Sequence, residues 1–501
     1  MAHGEQQQSS SDKYARRSGI PADPDDTDTR TATERDVARL HYAPALRRLA
    51  GVTQVVSPDP LRSQRHTRES HSHKVALLAR EIGVHFERRA LKDRDVGHIV
   101  DALGGLDVAA CEAAALAHDL GHPPFGHAGE EALNRLLRLV ELPDGFQGNA
   151  QTFRIVTRLA THKPGTQEYG LDLTAVTLAA IQKYPRGCPP SRQAGQSKRA
   201  TKALHKSPKF GYYVDDRDAF EFAMTRRGIP VKTESGKCPM RSLEADVMDI
   251  ADDFAYAIHD LEDFHREGII DFSSVCDDLA AAAKRIRESA LDEDKHTNAF
   301  LHWGTIFAKE YPAYFDADMY ANALGVVLDR FSEDEFRSRH DGSPATQAFA
   351  TGQLSWLLGQ LYEALSISQT PPKRMSHIYL ERPGWHLLQV LKTVTRRYVV
   401  STVQMGVIQQ IQSVMMEVVF RGFERWLKSA GDLDSLPHPL SDWIRDGGER
   451  LKSTVKGERH SLLQAHYRAI SDFICTMSDE ECVRWSQRFA GAAYPGLSDT
   501  V

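Results

Sequence analysis

A chain of 501 residues that is 41% hydrophobic, 26% charged and 8% aromatic has enough apolar surface to bury a core, which excludes global disorder and allows two to four domains. Its 62 Lys and Arg against 68 Asp and Glu give a formal charge of −6, which excludes a protein that holds nucleic acid or membrane by bulk positive charge, so an anionic ligand must be bound locally. No run reaches the ~18 apolar residues of a membrane span, the N-terminal residues have no apolar signal core, and six scattered cysteines form neither a disulfide framework nor a CxxC zinc site; a cytoplasmic globular protein is expected.

Residues 1–30, rich in Ser, Gln and Asp, read as a disordered tail. From about Thr33 the pattern is helical. Val75, Leu78, Ile82 and Phe86 step by three and four along one face of a helix beginning near Ser72. An Ala-rich helix then runs from residue 109 into His118-Asp119, with Gly121 where a C-capping glycine belongs. Residues 186–208 form a basic loop: seven Lys or Arg and no acid lie between Arg186 and Val214. Strand patterns are scarce, with at most a short hairpin near 207–214 and 227–234. Leu243, Val247, Ile250, Phe254, Ile258 and Leu261 mark another helix face, and residues 386–428 predict one or two long buried helices. The fold class expected is mostly α.

The chemistry concentrates where histidines do: eight of the 22 fall between His66 and His127. Neighbouring residues inside a helix point about 100° apart, but at its fraying C-terminal turn His118 and Asp119 can reach one cation. Such N/O donors suit Mn, Fe, Zn or Ni, with Mg where water fills the shell. A cation needs more ligands. Upstream stands His71; downstream Asp252, Tyr256 and Asp260 are four apart and stacked on one helix face, whose bland reading is a solvent-facing acidic stripe. His122, His127 and Glu130 complete the dense segment HDLGHPPFGHAGE.

His71, His118-Asp119 and Asp252 match the H…HD…D signature of HD-domain phosphohydrolases. HDLGHPPFGHAGE with GFQGNAQTFRIVTRL at 145–159 resembles the bacterial deoxyguanosine triphosphate triphosphohydrolases and their dNTPase relatives. So do ERDVARLHYAPALRRLAGVTQVV at 34–56, KYP at 183–185, KFGYY at 209–213 and ADDFAYAIHDLED at 251–263, with an echo at LKTVTRRYVV, 391–400. The resemblance implies an HD core over 31–270, and a helical region over 271–501 that completes the pocket and supplies contacts for a homo-oligomer, a hexamer or tetramer. It implies water attack at the α-phosphorus of a deoxynucleoside triphosphate, dGTP favoured, releasing deoxynucleoside and triphosphate.

In that resemblance His71, His118, Asp119 and Asp252 hold a divalent metal (Mg²⁺ or Mn²⁺, with Fe, Zn, Ni or Co as alternatives). His127 acts as acid or base, Glu130 orients it, and His122 or Arg68 touches phosphate. Lys183 and Lys209, with Tyr184 nearby, neutralise the triphosphate. Tyr256 stacks on deoxyribose where a 2′-hydroxyl would sit, while Asp260 and Gln54 accept from the 3′-hydroxyl. The chain departs at Gln147, where the family usually carries an acid, and at Glu69, His73 and Lys74. The rival readings are another HD phosphohydrolase, such as a nucleotidase or phosphodiesterase, and a regulatory HD protein that binds a dNTP effector or, through its basic loop, single-stranded nucleic acid.

Overall fold

The computed structural model describes residues 12–20, 28–55, 67–165, 167–189, 209–231, 240–288, 298–333, 343–452 and 462–492. Residues 190–208 of the expected basic loop lie outside them. The described residues are mostly α, as their periodicity requires, and their one sheet is a two-stranded antiparallel hairpin, Leu365–Ile367 against Ile378–Leu380 with Leu365 opposite Leu380. Among the described residues 209–231 no strand occurs where the short hairpin was expected. There, the described residues hold only an isolated bridge between Gly187 and Tyr212, and Arg217–Arg227 is helical.

The chain divides into two compact units, each discontinuous in sequence: residues 1–72, 116–242 and 407–501 form one, and residues 73–115 and 243–406 the other. The boundary expected at about residue 270 falls inside the second unit.

In the first unit, helix Gly126–Leu139 turns Leu133, Leu136 and Leu137 inward against Met416, Phe420 and Phe423 of helix Val403–Ser429 and against Ile470 and Phe473 of helix Leu462–Ile474. Burying each large apolar side chain stabilises by roughly 1.5–3 kcal/mol, so side chains from Met416 to Cys482 belong to this core. The expected tail departs from its reading at residues 12–20. Arg16, itself buried, donates to Asp36 at 2.7 Å, Asp36 also accepts from the Thr174 N–H at 2.9 Å, and the Ala175 N–H reaches the Ala15 carbonyl at 2.9 Å. A buried carboxylate needs such partners, and no local pattern in the tail signals that it supplies one.

In the second unit Val75, Leu78, Ile82 and Phe86 are all buried. Of the second predicted face, Leu243, Val247, Phe254, Ile258 and Leu261 are buried, whereas Ile250 is half-buried. Helix Leu243–Phe254 passes into a π-helical turn, Ala255–His259, which shifts the phase of the face. Two further π turns, Ile155–Leu159 and Arg396–Val400, fall in the segments GFQGNAQTFRIVTRL and LKTVTRRYVV. Such turns are rare and frequent at functional sites. Among the described residues no helix is long and apolar enough to cross a membrane.

Candidate metal centre and phosphohydrolase site

The helix Val108–Ala117 ends one residue before His118, and His118 through Gly121 form a turn. Gly121 does not have the left-handed backbone of a C-cap. It is small because a Cβ would lie 2.1 Å from the Gly148 carbonyl oxygen and 2.2 Å from the Thr152 nitrogen. That contact is locked by Thr152, whose hydroxyl accepts from the Gly121 N–H at 2.9 Å and donates to the His118 carbonyl at 3.1 Å. From the other side the Arg48 guanidinium donates to the carbonyls of Leu120 and His122 at 2.9 and 2.8 Å.

This turn faces the first turns of helix Arg68–Lys92. His71, His118 and Asp119 are all buried, and each offers a ligand atom within 4.8 Å of the others; the His71 and His118 rings are 5.6 Å apart. Two imidazoles and a carboxylate in a buried cluster are a donor set that suits a divalent transition metal, so these residues fit a divalent cation. Burial opposes ionisation of Asp119, but His118, His122 and Arg68 outweigh it and hold the carboxyl well below the usual range.

Arg68, expected at a phosphate, is turned to Asp119, donating to Oδ2 at 2.6 Å, and to the Gln54 carbonyl at 3.3 Å. The Gln54 side-chain oxygen is buried with no hydrogen-bond partner. His122 lies 3.1 Å from Asp119 through Nδ1. Burial, then Arg68, pushes its imidazole down to about 4, which favours the neutral ring.

His127 lies in the first turn of the next helix, Gly126–Leu139. Phe125 and Gly126 take left-handed backbone angles, φ 66° and 57°, which bend the chain so that His127 stands 71% exposed while its Nδ1 meets Glu130 Oε2 at 3.1 Å. Glu130 is held from the far side by the Gln147 amide at 2.8 Å and the Gly148 N–H at 2.9 Å. Burial would raise its carboxyl, but the His127 contact, His122 and the Gly148 N–H bring it to about 2. The His122 and His127 rings meet edge to face at 5.0 Å.

A family model described as HD domain matches residues 68–181. A deoxyguanosinetriphosphate triphosphohydrolase-like protein of Streptomyces coelicolor is 35% identical over 464 residues, covering 89% of this chain and 93% of that protein. The chain belongs to the deoxyguanosinetriphosphate triphosphohydrolase-like family. Proteins of the same description from Vibrio vulnificus and Corynebacterium glutamicum are 36% identical over 257 residues and 38% over 262, matches that span 54% and 52% of those relatives, about half their length.

In this triphosphohydrolase-like chain the remaining expected residues fall into two groups. Lys209 is exposed and its ammonium is 5.6 Å from the centre of the Tyr184 ring; the Arg186 side chain donates to the Lys209 carbonyl at 2.9 Å, which ties the KYP and KFGYY segments together, with Lys183 half-buried beside them. Asp252, Tyr256 and Asp260 belong to the second unit. They are not a solvent-facing stripe: Asp252 and Tyr256 are half-buried and Asp260 wholly buried. Burial pushes the Tyr256 phenol up to about 12 against the pull of Arg396, so it is a neutral hydroxyl at working pH. Sequence reasoning missed Arg48, Thr152 and Asp479, whose carboxylate accepts from the Phe125 N–H at 2.7 Å. Arg48 falls within the 34–56 segment, but nothing local aims it at residues 120–122, and Asp479 lies in no motif.

Proposed function

We propose that this chain hydrolyses deoxynucleoside triphosphates, dGTP preferentially, to deoxynucleoside and inorganic triphosphate. The observation that carries the reading is the pairing, in one HD-domain segment, of the buried His71–His118–Asp119 cluster with the His127–Glu130 dyad beside it. In this reading His71, His118 and Asp119 hold a divalent cation, with Asp252 the fourth ligand that the H…HD…D motif demands. When bound, the cation supplies Lewis acidity and charge neutralisation at the α-phosphate.

The residues then divide the work. Water oxygen joins the α-phosphorus, the bond from phosphorus to the 5′-oxygen breaks, and the 5′-oxygen needs a proton. His127, exposed to substrate and steered by Glu130, takes one proton from the attacking water and returns it to the 5′-oxygen. Lys183 and Lys209 face the triphosphate, which carries roughly four negative charges that a chain of net charge −6 must offset locally. Tyr256 packs on the sugar and excludes a 2′-hydroxyl. Asp260 and Gln54 accept from the 3′-hydroxyl, a role that suits the partnerless buried oxygen of Gln54.

The deciding experiment incubates metal-loaded protein with each dNTP and separates the products by ion exchange. Triphosphate as the sole inorganic product is expected, with dGTP turned over fastest; orthophosphate or pyrophosphate removes this reaction class, and binding without turnover selects a regulatory HD protein.

A further inference from the structure

In the resemblance to the triphosphohydrolases Gln147 takes a position that carries an acid, and the structure shows what the amide of this chain does there. It is 4% exposed and caps helix Gly148–Arg154. Its side-chain oxygen accepts from the Asn149 N–H at 2.7 Å and the Asn149 amide at 2.9 Å. Its side-chain nitrogen donates to Glu130 Oε1 at 2.8 Å. Only this orientation of the amide satisfies donors on one side and a carboxylate on the other. The backbone of Gln147 is pinned as well. The Tyr213 hydroxyl lies 3.3 Å from both its N–H and its carbonyl, and the Arg468 guanidinium lies 3.6 Å from the centre of the Tyr213 ring.

A carboxyl at position 147 could copy both contacts only when protonated, one oxygen accepting from Asn149 and the other, as O–H, donating to Glu130. Ionised, it would set two carboxylates about 3 Å apart, and such a pair retains one shared proton until high pH. Glu130 otherwise faces His127 on its own helix, His122 from the preceding turn, the Gly148 N–H, and Cys475 beyond helix Leu462–Ile474; none of these can replace the donor that an ionised acid would remove.

We propose that Gln147 is a positioning residue that stands in permanently for a protonated acid: its amide holds Glu130 as a fixed carboxylate against His127, so that the dyad's geometry carries no titration of its own. This inference rests on the hydrolytic reading of the same site.

The test compares kcat against pH for the wild type, Gln147→Glu and Gln147→Ala on dGTP, with KM and metal content measured alongside. Gln147→Glu keeps the helix cap and should match the wild type within a few-fold near pH 6. It should then fall relative to it by roughly tenfold or more toward pH 9, as the shared proton is lost. Gln147→Ala, with no acid, should be slower by one factor at every pH, with KM and metal content unchanged. A Gln147→Glu to wild-type ratio that is flat across pH, or wild-type kcat in Gln147→Ala, overturns the proposal. Should the wild type release no triphosphate from any dNTP, the hydrolytic reading fails instead. The pairing is then read from urea midpoints: an acid whose folded pKa is raised loses stability as pH rises, so Gln147→Glu should fall below the wild type by a margin that grows from pH 5 to 9. A constant margin again refutes the pairing.

Discussion

Asp119 and Glu130 are both carboxylates pressed among histidines, yet they do different things. Asp119 has His118, His122 and Arg68 around it, a setting that keeps it anionic for a cation. Asp119→Ala should therefore lower bound metal to background and abolish turnover while circular dichroism stays helical; stoichiometric metal in an active Asp119→Ala protein would refute the centre. In the proposed reaction His127 reaches the substrate, so His127→Ala should reduce kcat by roughly 10²–10⁴ with nucleotide affinity little changed, a split that stopped-flow binding and steady-state rates resolve. Glu130 makes a prediction about stability. Its folded value of about 2 lies below the ordinary value near 4.5, so its contribution is present above that ordinary value and is lost as pH falls toward 2. That contribution is on the order of 3 kcal/mol. The gap in urea midpoint between the wild type and Glu130→Gln should accordingly narrow from pH 5 to pH 2.5, and an unchanging gap would show that the carboxylate's charge is not what the fold uses.

The elements that carry these residues are held by buried polar contacts as much as by apolar packing. Helix Gly148–Arg154 is tied to helix Leu462–Ile474 through Asp472, 1% exposed, which accepts from Arg154 Nε at 2.8 Å and from the Gln151 amide at 2.9 Å. Arg154 has a second carboxylate in Asp216 at 3.2 Å. Asp472→Ala leaves a buried guanidinium half-satisfied and a buried amide without its acceptor, which should cost about 3 kcal/mol in urea unfolding. Glu480→Ala removes an Arg484 ion pair whose side chains are 60% and 72% exposed and should leave the midpoint where it was, because solvent screens such pairs. Equal effects of the two substitutions would mean that burial does not govern these contacts. The three π turns belong to this scale too. They widen the helix within segments already distinguished by their motifs, where regular helical periodicity places the following residues slightly out of phase.

For the whole molecule, the outer face of helix Val403–Ser429 is the feature that asks for a partner. Val407, Ile411 and Val414 are 56%, 51% and 62% exposed and share one helical face. An apolar stripe of that kind is unusual on a monomer and is the surface a homo-oligomer, which the resemblance implies, would cover. In analytical ultracentrifugation the wild type should sediment as an oligomer and Ile411→Lys as a smaller species with its circular dichroism intact. A wild type that sediments as a monomer would leave the stripe without this explanation.

The helical class, the His118-Asp119 turn and the His127–Glu130 pair were legible in the sequence because each depends on short spacings: an apolar residue every three or four positions, a carboxylate three residues after an imidazole. Asp252, Tyr256 and Asp260 were legible as a stripe but not as buried groups, since periodicity says which residues share a face and not what covers it. The docking of Arg16 on Asp36, the turning of Arg68 to Asp119, the grip of Gln147 on Glu130 and the return of residues 407–492 to the first unit were decided only by the tertiary structure. Their partners lie between 17 and several hundred residues apart, and what selects them is the cost of leaving a buried charge or amide unpaired, a quantity that exists only once the chain has folded around it.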